Sequence, residues 1–226
     1  MSQGLLPFPL AARFGRGDFL VSDSNRDAVE WIERWPAWPA RALVLHGAAG
    51  SGKTHLAHVW CERAGGRLVR GAELEAGETE GGALAVDDAD TAAERPLLHL
   101  YNSAIERGAS LLLTMRAPPA STPVALADLA SRLRALPVAG IAPPDDALLG
   151  AVLVKHFADR QIAVAPGVIA YLVARIERSF AAAALVAARL DREALSRQRP
   201  VTVPLARTVL DGFADQSLPP RDLTVT

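Results

Sequence analysis

The stretch GAAGSGKT occupies residues 47–54, between an apolar run at 42–45 and a helix-like segment at 56–60. A strand, a glycine-rich turn and a helix in that order are the context in which G-x-x-x-x-G-K-[ST] forms a phosphate-binding loop. Glycines let the backbone turn tightly, so successive N–H groups can face one anion, and the first N–H groups of the helix can join them. The stretch therefore predicts a strand–loop–helix unit that binds a nucleoside phosphate.

The side chains of this loop predict which groups they hold. Lys53 is expected to reach the β- and γ-phosphates, and the Thr54 hydroxyl to hold Mg²⁺. The alternative is a glycine-rich turn that happens to carry a lysine, which the complete pattern in its flanks disfavours. The predicted cofactors are ATP or ADP with Mg²⁺, and the loop residues expected to bind them are Gly47, Gly50, Ser51, Gly52, Lys53 and Thr54.

A second motif, ALAVDD at residues 83–88, follows the loop. Small apolar residues that end in two acids are typical of a buried parallel strand that delivers carboxylates to the carboxyl edge of a sheet. Such a run is a weak signal alone, but after a phosphate loop it indicates a Walker B motif. Asp87 is expected to belong to the Mg²⁺ site, and Asp88 to orient or deprotonate an attacking water.

A third apolar run, SLLLT at residues 110–114, predicts another buried strand. Its terminal Thr114 is then expected beside Asp87 and the γ-phosphate, where it could hydrogen-bond the nucleophilic water. The alternative is a strand-end threonine with only a local hydrogen bond.

Length, composition and charge restrict the number of domains and the classes of protein to which the chain can belong. The chain has 226 residues and half of them are apolar, enough for one α/β domain with a small satellite. A net charge of −1 gives no electrostatic footprint for non-specific nucleic-acid binding. A single cysteine, Cys61, excludes a disulfide framework and fits a reducing compartment. We see neither a signal peptide nor an apolar run long enough to span a membrane, so a cytoplasmic protein without membrane contact is expected.

The pattern changes at Pro143-Pro144, beyond which only helical segments are predicted. A helix further upstream, containing Ala28 to Trp35, is expected to be capped by Ser24 or Asn25. The later helices are predicted at 146–160, 166–177, 180–197 and 202–213. The chain is thus divided into an α/β nucleotide-binding domain at 13–142, a small all-helical domain at 143–214 and a flexible tail at 215–226.

The amino-terminal segment QGLLPFPL, residues 3–10, is apolar although it lies at a terminus. Prolines hold such a segment extended, so it would lose little entropy on docking into a groove. The alternative, and the commoner fate of an apolar terminus, is to pack on its own domain.

The order of the motifs resembles that of the DnaA/Hda family of AAA+ ATPases, over nearly all of residues 3–213. The resemblance rests on the phosphate loop, the two acids, the strand ending in threonine, the segment DLASRL at 128–133 and the helical lid. It implies a AAA+ P-loop NTPase with a parallel sheet flanked by helices, followed by an all-helical lid. It also implies that Phe19 and Asn25 lie where the family holds adenine.

The resemblance assigns Arg132, within DLASRL, as an arginine finger that acts in trans on the γ-phosphate of a neighbouring subunit. Without the resemblance, a surface arginine on an amphipathic helix would be the better interpretation.

Three departures separate the chain from the initiator DnaA itself. Nothing after the lid resembles a DNA-binding helix-turn-helix domain, so no direct sequence-specific DNA binding is expected. Residues 1–12 resemble the sliding-clamp-binding peptide of the shorter family members, with Gln3 in a polar subsite and Leu6 and Phe8 in an apolar pocket, although Gly4 stands where leucine is common. Ala181 occupies the position of the lid's sensor arginine, and Arg178 is the nearby substitute.

Two functions remain open at this point. The first is a regulator that binds a nucleotide and the sliding clamp (the polymerase β subunit) and promotes hydrolysis of DnaA-bound ATP, which would limit replication initiation. It needs the clamp-binding residues and Arg132, and it tolerates the weak intrinsic ATPase expected from Ala181. The second is an autonomous P-loop ATPase of an initiator-like or loader-like assembly, which needs Asp88 and usually the missing arginine; a small-molecule kinase is a distant third. An exposed finger and phosphate loop suggest head-to-tail contacts, so a homo-oligomer is possible.

Overall fold

The computed structural model describes residues 20–75 and 82–216, without the side chains of 213–216. Gln3, Leu6 and Phe8 of the predicted clamp-binding peptide lie outside the described residues, as do Phe19 and most of the predicted tail. The chain divides into two compact units between Pro143 and Pro144.

The first unit is built on a parallel five-stranded sheet with helices on both faces. The strand order is β2-β3-β4-β1-β5, and every neighbouring pair is parallel. The strands are β1 (Ala42–His46), β2 (Arg67–Arg70), β3 (Ala83–Asp87), β4 (Ser110–Met115) and β5 (Val138–Gly140); the helices are α1 (Arg26–Glu33), α2 (Lys53–Ala64), α3 (Glu94–Glu106) and α4 (Ala127–Arg134). The α/β fold class predicted from the sequence is confirmed.

Alternate residues of the central strand enter two different cores. Leu43 and Leu45 of β1 pack with buried residues of α1 and α2, whereas Ala42 and Val44 pack with those of α3 and α4. Because both faces are covered, the inner strands are apolar along their length rather than alternating, which is why they could be found as short apolar runs.

The second unit is all-helical, with α5 (Asp146–Asp159), α6 (Pro166–Val173), α7 (Phe180–Arg197) and α8 (Val203–Gln216) around their own apolar core. Two of the helix starts are capped by side chains. Asp145 accepts a hydrogen bond from the Leu148 N–H, and Ser179 accepts one from the Ala182 N–H. No helix in the described part of the chain is long and apolar enough to cross a bilayer.

The structure differs from the sequence expectations at several points. Helix α1 ends at Glu33, before Trp35, and α8 continues to Gln216 rather than ending at residue 213. Strand β5 was not expected, because three residues carry too little periodicity and it is held through backbone pairing with β1. Helix α6 ends at Val173 rather than at residue 177. Asn25 occupies the amino-terminal cap position of α1, but its side chain makes no capping hydrogen bond.

Candidate functional site

The strand order brings three sequence motifs to one edge of the sheet. Strand β4 lies between β1, which leads into the phosphate loop, and β3, which ends at Asp87. In a parallel sheet all carboxyl ends meet at the same edge. The end of β4, where Thr114 lies, is therefore interposed between the loop and the acids.

Both carboxylate oxygens of Asp87 accept a hydrogen bond from a threonine hydroxyl. Thr54 Oγ1 donates to Oδ2 over 2.8 Å, and Thr114 Oγ1 donates to Oδ1 over 2.6 Å. Asp87 is 6% exposed and Thr114 is completely buried. The structure thus joins the phosphate loop, the second motif and the third motif through a single carboxylate.

Asp88 is held by its backbone rather than by its carboxylate. Its backbone lies in the left-handed region, with φ of 50° and ψ of 50°, and its N–H donates to Thr114 Oγ1 over 2.9 Å. Its carbonyl accepts from the Thr91 N–H and hydroxyl, over 2.8 and 2.7 Å. A Cβ added to Gly71 would collide with that carbonyl oxygen. The carboxylate of Asp88 is thereby carried on a fixed turn, which depends on a glycine that sequence reasoning missed.

The phosphate loop needs its glycines for two different reasons. Gly50 and Gly52 have φ values of 70° and 101°, a conformation that other residues rarely adopt. Gly47 is required by close packing, because an added Cβ would collide with the Ile141 carbonyl oxygen next to β5. The loop enters α2 at Gly52, where no side chain caps the helix.

Lys53 is buried within the loop that carries it. The residue is 5% exposed, and its Nζ donates to the carbonyl oxygens of Gly47 and Ala48, each over 2.9 Å. Burial lowers the pKa of Lys53, the nearby charges of Asp88, Asp87 and Asp90 oppose that effect, and the charge of Arg116 adds to it. An ammonium group has three donors, so two of them are satisfied here by the loop's own carbonyls.

The donors gathered at this edge fit a nucleoside phosphate with Mg²⁺. Among the described residues, the buried Ser51 hydroxyl has no hydrogen-bond partner and no side chain caps α2, so polar groups of the loop remain available to an anion. No group of three or more His, Cys, Asp or Glu gathers as a metal site in the described residues. Mg²⁺ commonly takes one or two protein oxygens and completes its shell with phosphate and water; Thr54 and Asp87 would supply those oxygens.

Asn25 lies close to this edge, but its side chain is already engaged. It is 1% exposed, its Oδ1 accepts from the Ser22 N–H, and its Nδ2 donates to the Leu20 carbonyl, both over 2.9 Å. The Ser24 carbonyl accepts from the Ala142 N–H just beyond β5, which places this turn beside the start of the phosphate loop. The geometry gives Asn25 the task of shaping the turn, and a direct contact with adenine stays a prediction.

Three charged or titratable groups near Lys53 were missed by sequence reasoning. Asp90 and Arg116 both influence the pKa of Lys53, and they are joined because Asp90 Oδ2 accepts from the Arg116 N–H over 3.3 Å. His46, the last residue of β1, has its pKa lowered by burial and then by Lys53. The position of His46 at the end of a strand, directly before the phosphate loop, could have identified it from the sequence. Asp90 and Arg116 come close to Lys53 through the fold and left no such signal.

We expect Thr114→Val to destabilise the protein more than Thr54→Val does. Both changes remove a hydroxyl that bonds Asp87, but Thr114 is buried and also accepts from the Asp88 N–H, whereas Thr54 is exposed. Hydrogen bonds to charged groups contribute about 1.5–3 kcal/mol, and a buried group left unpaired adds its own cost. Urea unfolding of the two variants would test this, and equal losses of stability would contradict it.

Arg132, the predicted finger, lies on α4. Its guanidinium contacts Asp128 on the same helix and the ring of Tyr101 on α3, and no hydrogen bond joins it to the described residues of the phosphate-loop cluster. Its side chain is 39% exposed. In the lid, Arg178 pairs with Asp146 over 2.8 Å, so the substitute for the arginine missing at Ala181 is engaged by a lid carboxylate.

Comparison with known proteins identifies the two units. Residues 146–210 match the family model described as "Hda, lid domain". Domain III of the replication initiation protein DnaA of Thermotoga maritima has a TM-score of 0.73 at 16% identity, over 86% of this chain and 94% of that one. DnaA bound to AMPPCP and single-stranded DNA gives 0.65 at 15%, over 84% of this chain and 69% of that one.

A mutant of the Thermotoga maritima protein RuvB also shares the fold, with a TM-score of 0.65 at 15% identity, over 79% of this chain and 65% of that chain. These structural similarities establish the fold, and the match of residues 146–210 to the family model establishes the type of lid. The resemblance predicted from the sequence is confirmed in what the comparisons show: the chain has the fold of DnaA domain III, and its residues 146–210 are an Hda-type lid.

Proposed function

We propose that this chain is a nucleotide-binding regulator that acts with the sliding clamp to promote hydrolysis of ATP bound to DnaA. The observation that carries the proposal is the setting of Arg132, whose guanidinium is partly exposed and contacts Asp128 and Tyr101 rather than the described residues of the chain's own phosphate loop. A cation placed there is available to the phosphates of a second molecule. The Hda-type lid is the feature that favours DnaA as that molecule.

In this proposal, the nucleotide bound to the chain's own site serves mainly to order the structure of the chain, and the chain hydrolyses it slowly. The phosphate loop would hold ATP or ADP through Lys53, with Mg²⁺ on Thr54 and Asp87. The lid offers Ala181 at the sensor position, and Arg178 is paired with Asp146. The DnaA structure bound to AMPPCP supports an adenine nucleotide as the ligand.

The direct test measures phosphate release from DnaA preloaded with γ-labelled ATP, with clamp loaded on DNA and with or without this chain. Acceleration that requires both the clamp and the chain is expected. The double variant Gln3→Ala with Leu6→Ala should lose most of the clamp-dependent part. No acceleration by the wild-type chain would refute the proposal.

The second candidate, an autonomous ATPase, is favoured by one observation. Asp88 is carried on a turn fixed by Thr114, Thr91 and Gly71, a rigidity suited to orienting water. Steady-state hydrolysis by the chain alone separates the candidates. Turnover by the isolated chain that matches ordinary AAA+ enzymes and falls in Asp88→Asn would favour this alternative, whereas the regulator needs little turnover of its own.

A further inference from the structure

The guanidinium of Arg132 is held by two side chains from two helices. Its Nε donates to Asp128 Oδ1 over 2.9 Å, and its Nη2 donates to Asp128 Oδ2 over 3.3 Å. The Cζ atom lies 5.7 Å from the centre of the Tyr101 ring, within the range of a cation–π contact. The arginine is therefore restrained both along one edge and over one face.

The contact with Asp128 leaves part of the guanidinium available. Arginine carries five N–H donors in a rigid fork, and Asp128 engages only the edge formed by Nε and Nη2. Nη1 makes no hydrogen bond to the described part of the chain. The remaining edge of the guanidinium, formed by Nη1 and Nη2, could therefore donate to two oxygens of a phosphate, because guanidinium groups bind phosphates in bidentate fashion.

The helix that carries Arg132 is itself fixed to α3. The carboxylate of Glu94, at the start of α3, accepts from the N–H groups of Ala125 and Leu126 over 2.8 and 2.7 Å, just before α4 begins. Leu129 and Leu133 of α4 are 1% and 2% exposed in the core. Arg132 and Tyr101 thus lie on two helices that are held in register by contacts other than their own.

We propose that Asp128 and Tyr101 are positioning residues that hold the Arg132 guanidinium ready for a phosphate of the partner subunit. This inference rests on the proposed function, since it gives these residues a task only if Arg132 acts in trans. A long, exposed arginine loses rotamer freedom when it docks, and restraining it beforehand lowers that cost and fixes its geometry. An exposed ion pair contributes little to folding stability, so stability alone does not explain the arrangement.

The test uses Asp128→Asn and Tyr101→Leu in the clamp-dependent assay of DnaA-bound ATP hydrolysis. We expect the maximal stimulated rate to fall about tenfold for Asp128→Asn, because a misplaced reacting group can cost that much, and about threefold for Tyr101→Leu. The concentration of the chain at half-maximal stimulation should stay unchanged, and Asp128→Glu should recover most of the rate. Glu193→Gln is the matched control, because Glu193 pairs with Arg197 at the same spacing on a lid helix; it should behave as wild type.

The outcomes separate this inference from the proposed function. If Arg132→Ala stimulates as well as wild type, the proposed function fails. If Arg132→Ala is inactive while Asp128→Asn and Tyr101→Leu keep the full rate, the positioning proposal alone is overturned. A change confined to the half-maximal concentration would make these residues part of the docking surface, and a fall in thermal unfolding temperature that accounts for the lost rate would make them structural. A faster Asp128→Asn would mean that the carboxylate holds the Arg132 guanidinium back from the phosphate, and each of these three results also overturns the proposal.

Discussion

Replacing Arg132 with alanine is expected to abolish the stimulation of DnaA-bound ATP hydrolysis. A guanidinium that enters a phosphoryl-transfer site stabilises the charge of the transition state and raises the rate by roughly 10³-fold or more. The side chain is partly exposed, and its contacts are with Asp128 and Tyr101 rather than with the described residues of the phosphate loop, so its loss should leave the affinity of the chain for its own nucleotide unchanged. Single-turnover hydrolysis by DnaA and nucleotide titration of the variant would measure the two quantities.

The control for this change lies on the same helix. Arg134 has the same charge and is also exposed, two residues further along α4. Arg134→Ala should keep at least half of the stimulation, because a position two residues away faces a different side of a helix. Equal defects in the two variants would point to a general loss of positive charge rather than to a finger.

The second large effect is expected at Lys53. In Lys53→Ala the affinity for ATP or ADP should fall about 10- to 100-fold, the equivalent of one lost charge-assisted contact of about 1.5–3 kcal/mol. The free protein should lose little stability, because burial of the ammonium carries a cost that lowers the pKa of Lys53. Its hydrogen-bond partners among the described residues are the carbonyls of Gly47 and Ala48. The result would be a folded protein that a given concentration of nucleotide protects less against thermal unfolding.

Thermal unfolding with and without nucleotide gives the measurement, and fluorescence titration gives the affinity. Lys155 is the other lysine of the chain and lies on α5, paired with Asp159 over 3.0 Å, so Lys155→Ala serves as the matched control. If Lys53→Ala kept the full nucleotide-induced rise in unfolding temperature, Lys53 would have no role in binding phosphate.

These predictions join two parts of the molecule that the sequence treats separately. Asp87 leads through the turn of Asp88 and Thr91 into α3, and α3 holds α4 through Glu94 and contacts Arg132 through Tyr101. A continuous path of covalent and non-covalent contacts therefore runs from the carboxyl edge of the sheet to Arg132. Such a path is a physical route for coupling, and a double-mutant cycle between Asp87 and Asp128 would measure whether free energy passes along it.

The local elements were accessible from the sequence because each is set by neighbours in the chain. The apolar runs gave β1, β3 and β4 within a residue of their bounds, and Asp145, Pro166 and Ser179 marked the starts of the lid helices. Capping residues and apolar periodicity act over a few positions, so they leave a local signature. Strand β5 left none, because it has three residues and its place depends on β1.

The site divides in the same way. The residue types at the carboxyl edge follow from local sequence patterns: a glycine-rich loop with Lys53 and Thr54, and an apolar strand that ends in Asp87. Thr114 was expected beside Asp87, and the folded chain adds that β4 lies between the two motifs and that the Thr114 hydroxyl both donates to Asp87 and accepts from the Asp88 N–H. Only the tertiary structure set Asp128 and Tyr101 around Arg132 and Gly71 against Asp88. These contacts could not be predicted because strand order and helix packing depend on burial of the whole core, and contacts between residues distant in sequence follow from that packing.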